Sequence, residues 1–385
     1  MAPLPSDAPF GIYLHVPFCS HICPYCDFNT YRGMDVLIPR YVDALRRDLE
    51  GAADGVAGRA VGSVFLGGGT PSLLDGAQVE RVMETIRSRY RLLPDAEVTL
   101  EANPSTADRE RFAAYRAAGI NRLSVGVQTA DRRGLRVLGR RHEAADATKA
   151  LEEARDAGFE HVSADLIFGW PGQDVGTWRR DIAIAASWPV DHLSLYSLIV
   201  EPGTPMADAV QRGVLLPLDD DDAATLYEIA IAEMRTRGFD HYEVANWSRG
   251  AAARSRHNQL YWRNGEFLGI GAGAHGTLGG VRTMRHLLPL TYIEALAGGA
   301  SPVSNTEHID ERTARGETMM LGLRLIDEGV SRAAFLARHG ESLDAVFGPT
   351  IHELVRLGMM TDDGERLILT ARGLMLANDV CGRFL

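Results

Sequence analysis

Gly11-Ile-Tyr-Leu-His15, the helical pattern Tyr41–Ala53, then Ser63-Val-Phe-Leu66 running straight into Gly67-Gly-Gly-Thr-Pro71: this strand, helix, strand stretch decides the reading of the fold. The same unit recurs along the chain. Further short apolar runs are Glu97-Val-Thr-Leu-Glu101, Arg122-Leu-Ser-Val-Gly126, Val162-Ser-Ala-Asp-Leu-Ile-Phe168 and His192-Leu-Ser-Leu-Tyr-Ser-Leu198. Helical patterns at Gly76–Tyr90, Ala107–Ala118 and Ala144–Ala157 separate them, and the last two close on Gly119 and Gly158, the usual helix stop. Strands alternating with helices imply parallel pairing with helical crossovers. Six such units are too few for a complete eight-unit barrel, so the expected fold is α/β, a partial (β/α)6 TIM-type barrel. In such folds chemistry collects at the C-terminal ends of the strands, and the unusual residues of this sequence fall there.

After Pro205 the rhythm changes. The acidic run Asp219–Asp222 is expected to cap a helix reaching Arg237, with solvated carboxylates favoured by the helix dipole. From about residue 305 the pattern is helical with a short strand pair near Leu367-Ile-Leu-Thr370, a small helix-rich C-terminal domain. The 385 residues are 45% hydrophobic and 24% charged, with a formal net charge of −11. That balance fits a soluble globular protein and argues against non-specific binding of nucleic acid or an anionic membrane. The stretch Met1–Pro9 lacks the basic and apolar regions of a secretory signal, and no stretch reaches the roughly 18 apolar residues of a membrane span. A cytoplasmic location is expected, with at most peripheral membrane association.

Four cysteines in so long a chain do not make a disulfide framework, yet three lie together in Cys19-Ser-His-Ile-Cys23-Pro-Tyr-Cys26. Thiolate is the ligand iron prefers, and three in one short loop can hold three corners of a 4Fe–4S cluster. A structural zinc site would want a fourth ligand of equal quality. His21 is too close to its neighbours to complete a tetrahedron, and Cys381 lies at the far end of the chain. The missing fourth ligand leaves one iron open for the amino and carboxylate groups of S-adenosylmethionine. A zinc ribbon fragment or three free cysteines is the alternative.

This C-x3-C-x2-C loop resembles the signature of the radical S-adenosylmethionine superfamily. Tyr13-Leu-His-Val-Pro-Phe-Cys19, Phe65-Leu-Gly-Gly-Gly-Thr-Pro-Ser72, Glu101-Ala-Asn-Pro104, Ser124-Val-Gly-Val-Gln128 and Asp165-Leu-Ile-Phe-Gly169 narrow it further. They resemble the oxygen-independent coproporphyrinogen III oxidase (HemN-like) family, from about residue 10 to the C-terminus. The resemblance divides the chain into a radical S-adenosylmethionine partial-barrel domain with its extension, 10–275, and a HemN-like helix-rich domain, 276–385. The family's oxidases carry a further cysteine two residues after the third, where this chain has Phe28. The HemW-type haem chaperone branch has Phe there and a His-Asn-x-x-Tyr-Trp motif, matched by His257-Asn258-Gln-Leu-Tyr261-Trp262.

By that resemblance Tyr13 approaches the cofactor carboxylate, Gly68, Gly69 and Thr70 line the methionine end, and Glu101 meets the ribose hydroxyls. Gln128, Arg140 and Asp165 also contact the cofactor, and Phe28 packs near the adenine. The bland alternatives are a tight turn capped at Ser72, helix caps at Glu101 and Asp165, and a solvated Arg140–Arg141 pair. Gly271-x-Gly-x-x-Gly276 has the letters of a dinucleotide fingerprint but lacks its helix and distal acid, so backbone packing at the barrel edge is expected instead. His257, with Arg254 and Arg256 near it, is the candidate haem ligand, and the alternative is a buried hydrogen-bond network with Asn258 and Tyr261. His275 and His286 are weaker candidates. The implied function is binding haem and passing it to an acceptor protein. The rival is radical oxidative decarboxylation of coproporphyrinogen III, and a third reading keeps the cluster as a structural staple.

Overall fold

The structure, a computed structural model, describes residues 8–106 and 108–385. Most of the N-terminal stretch read for a signal, and position 107 where a helix was expected to begin, lie outside the described residues. Six strands pair in sequence order, all parallel: β1 (Phe10–Val16), β2 (Ala60–Gly68), β3 (Arg91–Ala102), β4 (Arg122–Gln128), β5 (His161–Phe168) and β6 (His192–Ser197). These are the six apolar runs of the sequence. The crossovers are α1 (Ile38–Ala52), α2 (Gly76–Arg89), α3 (Arg109–Ala117), α4 (Ala144–Asp156) and α5 (Val175–Ser187).

The packing explains the pattern. In β1, Phe10, Ile12, Leu14 and Val16 are buried at alternate positions and join one core with Tyr41, Val42, Leu45 and Leu49 of α1. The intervening Gly11, Tyr13 and His15 are left for the inner face, so β1 is covered on both sides and reads as a nearly unbroken apolar run. Three of these helices begin on aspartate caps that their sequences supply: Asp75, Asp108 and Asp174 each accept the backbone N–H of the residue three positions on. The acidic run does the same, with Asp219 capping a helix over Asp220–Thr236.

The barrel stays open, and the sheet grows at both edges to twelve strands. A hairpin of β7 (Asp240–Glu243) and β8 (Asn246–Ser248) adds antiparallel to β6. At the other edge β9 (Phe267–Ile270) pairs parallel with β1, and β10 (His275–Leu278), β11 (Val281–Arg285) and β12 (Val303–His308) follow antiparallel. The glycine-rich stretch is needed here because a Cβ on Gly269 would stand 1.9 Å from the carbonyl oxygen of His275. A separate small core gathers Met319, Leu323, Phe335, Leu343, Ile351 and Leu367 around the C-terminal helices and a three-stranded antiparallel sheet, one strand more than the sequence suggested. The helix Glu311–Gly322 joins this core to the barrel extension, with Glu317 bonded to Arg282 of β11.

Candidate cofactor site

Beyond β1 the chain turns into the cysteine loop, which is closed at its base like a purse. Phe18–Cys19 pairs with Tyr31–Arg32, and Tyr31 N–H donates to Pro17 O at 2.7 Å. The loop after β2 lies across it, where Gly69 N–H donates to Val16 O at 2.9 Å and Thr70 N–H to Phe18 O at 2.8 Å. This crossing accounts for the glycines. Gly68 has φ 108°, and a Cβ there would lie 2.4 Å from the His15 ring, while one on Gly69 would lie 2.7 Å from Phe18 O. The sequence expectation was close approach to a ligand; the structure adds that the backbone must first pass the cysteine loop itself.

A cavity of about 470 Å³ opens at this rim. Cys19, Cys23 and Cys26 form one wall, and Phe28, Gly68, Gly69 and Thr70 continue it. Glu101, Gln128, Arg140 and Asp165 also line it, so every expected cofactor residue except Tyr13 meets in one place. Among the described residues no three His, Cys, Asp or Glu side chains are arranged around a single ion. The thiols border a space instead, as a multi-iron group needs. Burial is the main cause raising the Cys19 and Cys26 thiols above their ordinary value, and the Thr70 hydroxyl, 3.4 Å from Cys19 Sγ, opposes it for Cys19.

Arg140 is no solvated surface arginine. Its Nη2 donates to Gly126 O at 2.6 Å and its Nη1 reaches Cys23 Sγ at 3.6 Å, while its buried Nε has no partner. A guanidinium with a spare donor beside the thiols suits an anionic cluster or a carboxylate. Glu101 sits in β3, not at a helix start, and its Oε2 accepts Gly68 N–H at 3.1 Å. Burial first, and neighbouring Asp165 second, push its carboxyl up to about 7. Asp165 is also raised by burial, against the hydroxyls of Ser194, Ser124 and Ser163; Ser124 Oγ donates to it at 2.9 Å. Gln128 ends β4 at φ 75°, a left-handed position uncommon for a side chain of this kind, and lines the cavity.

Tyr13 lies beyond Gly68 and Glu101, on the wall of a second cavity of about 670 Å³ that shares Phe28, Gly68 and Glu101 with the first. His15 Nε2 donates to Asn29 O at 2.9 Å, so its Nδ1 is bare and accepts the Tyr13 hydroxyl, also at 2.9 Å. His15 thereby ties β1 to the end of the cysteine loop. Sequence reading missed it, and missed the serines around Asp165; the available signal was a polar residue inside an otherwise apolar strand. His257 lies outside both cavities, 0% exposed. Its Nδ1 bonds Ser63 Oγ at 2.8 Å and its Nε2 bonds Tyr261 OH at 2.8 Å. Burial lowers its pKa to about 3. The network is there, with Tyr261 but not Asn258 in the ring's bonding, and neither ring nitrogen is left over for iron.

Residues 13–183 match the Radical SAM superfamily and residues 309–376 the HemN C-terminal domain. The fold is that of coproporphyrinogen III oxidase (HemN) from Escherichia coli, with a TM-score of 0.85 over 98% of this chain and 90% of that one, at 21% identity. Sequence likeness runs elsewhere. Heme chaperone HemW of Mycobacterium tuberculosis (strain ATCC 25618 / H37Rv) is 42% identical over 99% of this chain and 95% of its own length. Heme chaperone HemW of Bacillus subtilis is 37% identical over 97% and 98%. With three cysteines at the strand rim, phenylalanine after them and this likeness from end to end, the chain belongs to the HemW family within the radical SAM superfamily.

Proposed function

We propose that this chain binds haem and hands it to an acceptor protein in the cytoplasm, with a 4Fe–4S cluster on Cys19, Cys23 and Cys26 and S-adenosylmethionine beside it. The observation that carries the reading is the near full-length likeness to proteins named heme chaperone HemW, together with Phe28 where the oxidases have a further cysteine. When bound, the cluster supplies an electron and an open coordination position for the sulfonium cofactor. The chain's own residues do the rest. Arg140 offers its unpartnered Nε to negative charge, and Glu101 accepts hydroxyl donors once ionised. Phe28, 66% exposed, offers an aromatic face to the adenine. Residues 10–275 carry the cofactor machinery, and 276–385, which begins inside β10 and completes the edge of the barrel sheet, closes the neighbouring cavity with the helix Glu311–Gly322.

The acceptor is a protein rather than nucleic acid, in keeping with the net charge of −11. No helix among the described residues is long and apolar enough to cross a membrane. One anaerobic experiment tests the proposal. The reconstituted protein is titrated with haem by Soret absorbance and, in parallel, given S-adenosylmethionine, a reductant and coproporphyrinogen III. Haem bound at one per chain without protoporphyrinogen IX is the expected result. Formation of that product sinks the chaperone reading in favour of the oxidase. Cofactor binding that survives Cys23→Ala reduces the cluster to a staple.

A further inference from the structure

We infer that the 670 Å³ cavity beside the cofactor site is the haem seat and that His275, not His257, supplies the axial imidazole; this rests on the haem-binding reading above. The cavity lies where β1, the cysteine loop, the β9–β11 extension and the C-terminal helix Glu311–Gly322 meet. Its size falls in the range of pockets that enclose drug-sized ligands. Phe28, Phe267 and Leu287 and, on the helix one turn beyond Glu317, Met320 and Leu321 give it a broad apolar surface, beside polar groups such as Glu101 and Arg282. Phe28 and Leu287 are 66% and 50% exposed, large apolar surfaces that a flat macrocycle would cover.

Two imidazoles line the cavity, and their bonding separates them. His15 has both ring nitrogens engaged, to Tyr13 and to Asn29 O. His275, at the start of β10, is exposed, and among the described residues nothing hydrogen-bonds its ring. It is the one with a nitrogen to give to iron. The backbone here is paired with β9 on one side and β11 on the other, and it passes Gly269 of β9 so closely that a Cβ there would stand 1.9 Å from His275 O. A free side chain on a fixed strand can ligate without reordering the core.

Arg282, on the same wall, is bonded to Glu307 at 2.9 Å and to Glu317 at 2.5 Å, so the cavity offers no unpaired cation for a carboxylate. Shared walls at Phe28, Gly68 and Glu101 put the macrocycle next to the cofactor cavity.

The test uses the full chain, reconstituted without oxygen and titrated with ferric haem by Soret absorbance and electron paramagnetic resonance. Wild type, His275→Ala and His257→Gln are compared, the last keeping hydrogen-bonding capacity at the buried position. His275→Ala is expected to weaken haem binding about tenfold or more and to remove the imidazole-ligated signature, and added imidazole restores the signature. His257→Gln keeps it. An unchanged spectrum and affinity in His275→Ala, or a loss that imidazole does not restore, overturns the ligand assignment and leaves haem binding standing. If the wild-type chain takes up no haem at all, the functional reading falls with it.

Discussion

Replacing Glu101 by Gln sets stability against ligand binding, and the structure gives both signs. The carboxyl is largely buried on the wall shared by the two cavities, and its pKa is pushed from an ordinary 4.5 up to about 7, mainly by burial. A raised folded pKa means that the folded chain holds this proton more tightly than the unfolded one. Glu101 therefore costs nothing below about pH 4.5; the cost grows from there to about pH 7 and is complete above it. The full shift corresponds to about 3 kcal/mol. Gln removes the titration and keeps an oxygen to accept the Gly68 N–H, now at 3.1 Å. The cluster-free Glu101→Gln protein should thus be more stable than wild type at pH 8, by up to about 3 kcal/mol, with the gap closing toward pH 5. S-adenosylmethionine should bind the same variant about tenfold more weakly or worse, since an ionised acceptor is lost. Wild-type affinity should fall as pH drops below about 7, and the variant's should not. Urea unfolding at several pH values, with equilibrium dialysis of the cofactor on the reconstituted protein, reads both. A variant less stable at pH 8, or a stability difference that ignores pH, would refute the reasoning.

Three further outcomes follow from the geometry. Gly69→Ala puts a methyl 2.7 Å from Phe18 O and 2.8 Å from Val16 O, backbone atoms that cannot step aside; it should cost about 1–3 kcal/mol and lower iron content per chain, and retention of both melting temperature and iron would count against the crossing described here. Glu97→Ala should destabilise by about 3–5 kcal/mol, because Glu97 holds the N–H groups of His257 and Arg256 and faces Arg122, itself only 2% exposed. Chemical denaturation of the Glu97→Ala, Arg122→Met and double variants checks it, and the double should lose less than the sum. Cys19→Ala, Cys23→Ala and Cys26→Ala should each abolish the anaerobic iron–sulfur absorbance while Cys381→Ala leaves it intact; Cys381 is buried in the small C-terminal core, and loss of the band in that variant would implicate it after all.

The sequence by itself determined the parts whose signal is local. Apolar runs with helical stretches between them dictate parallel strands and crossovers, since each must bury one face against the next, and all six runs are strands in the structure. The cysteine spacing fixes a three-thiol loop, because ligand geometry is set within eight residues. Tertiary structure alone decided what depends on distant segments meeting. It extended the sheet to twelve strands through short edge strands that carry little periodicity. It placed Tyr13 on the wall of the second cavity, while Gly68 and Glu101 line both. It also decided which histidine rings are already hydrogen-bonded. His257 had the stronger motif, yet Ser63, brought from β2, and Tyr261 occupy its ring, while His275, a weaker candidate in the sequence, lines a cavity with no hydrogen bond to its ring among the described residues. A side chain's partners are set by the three-dimensional packing around it, and residue type along the chain does not record which nitrogen is already taken.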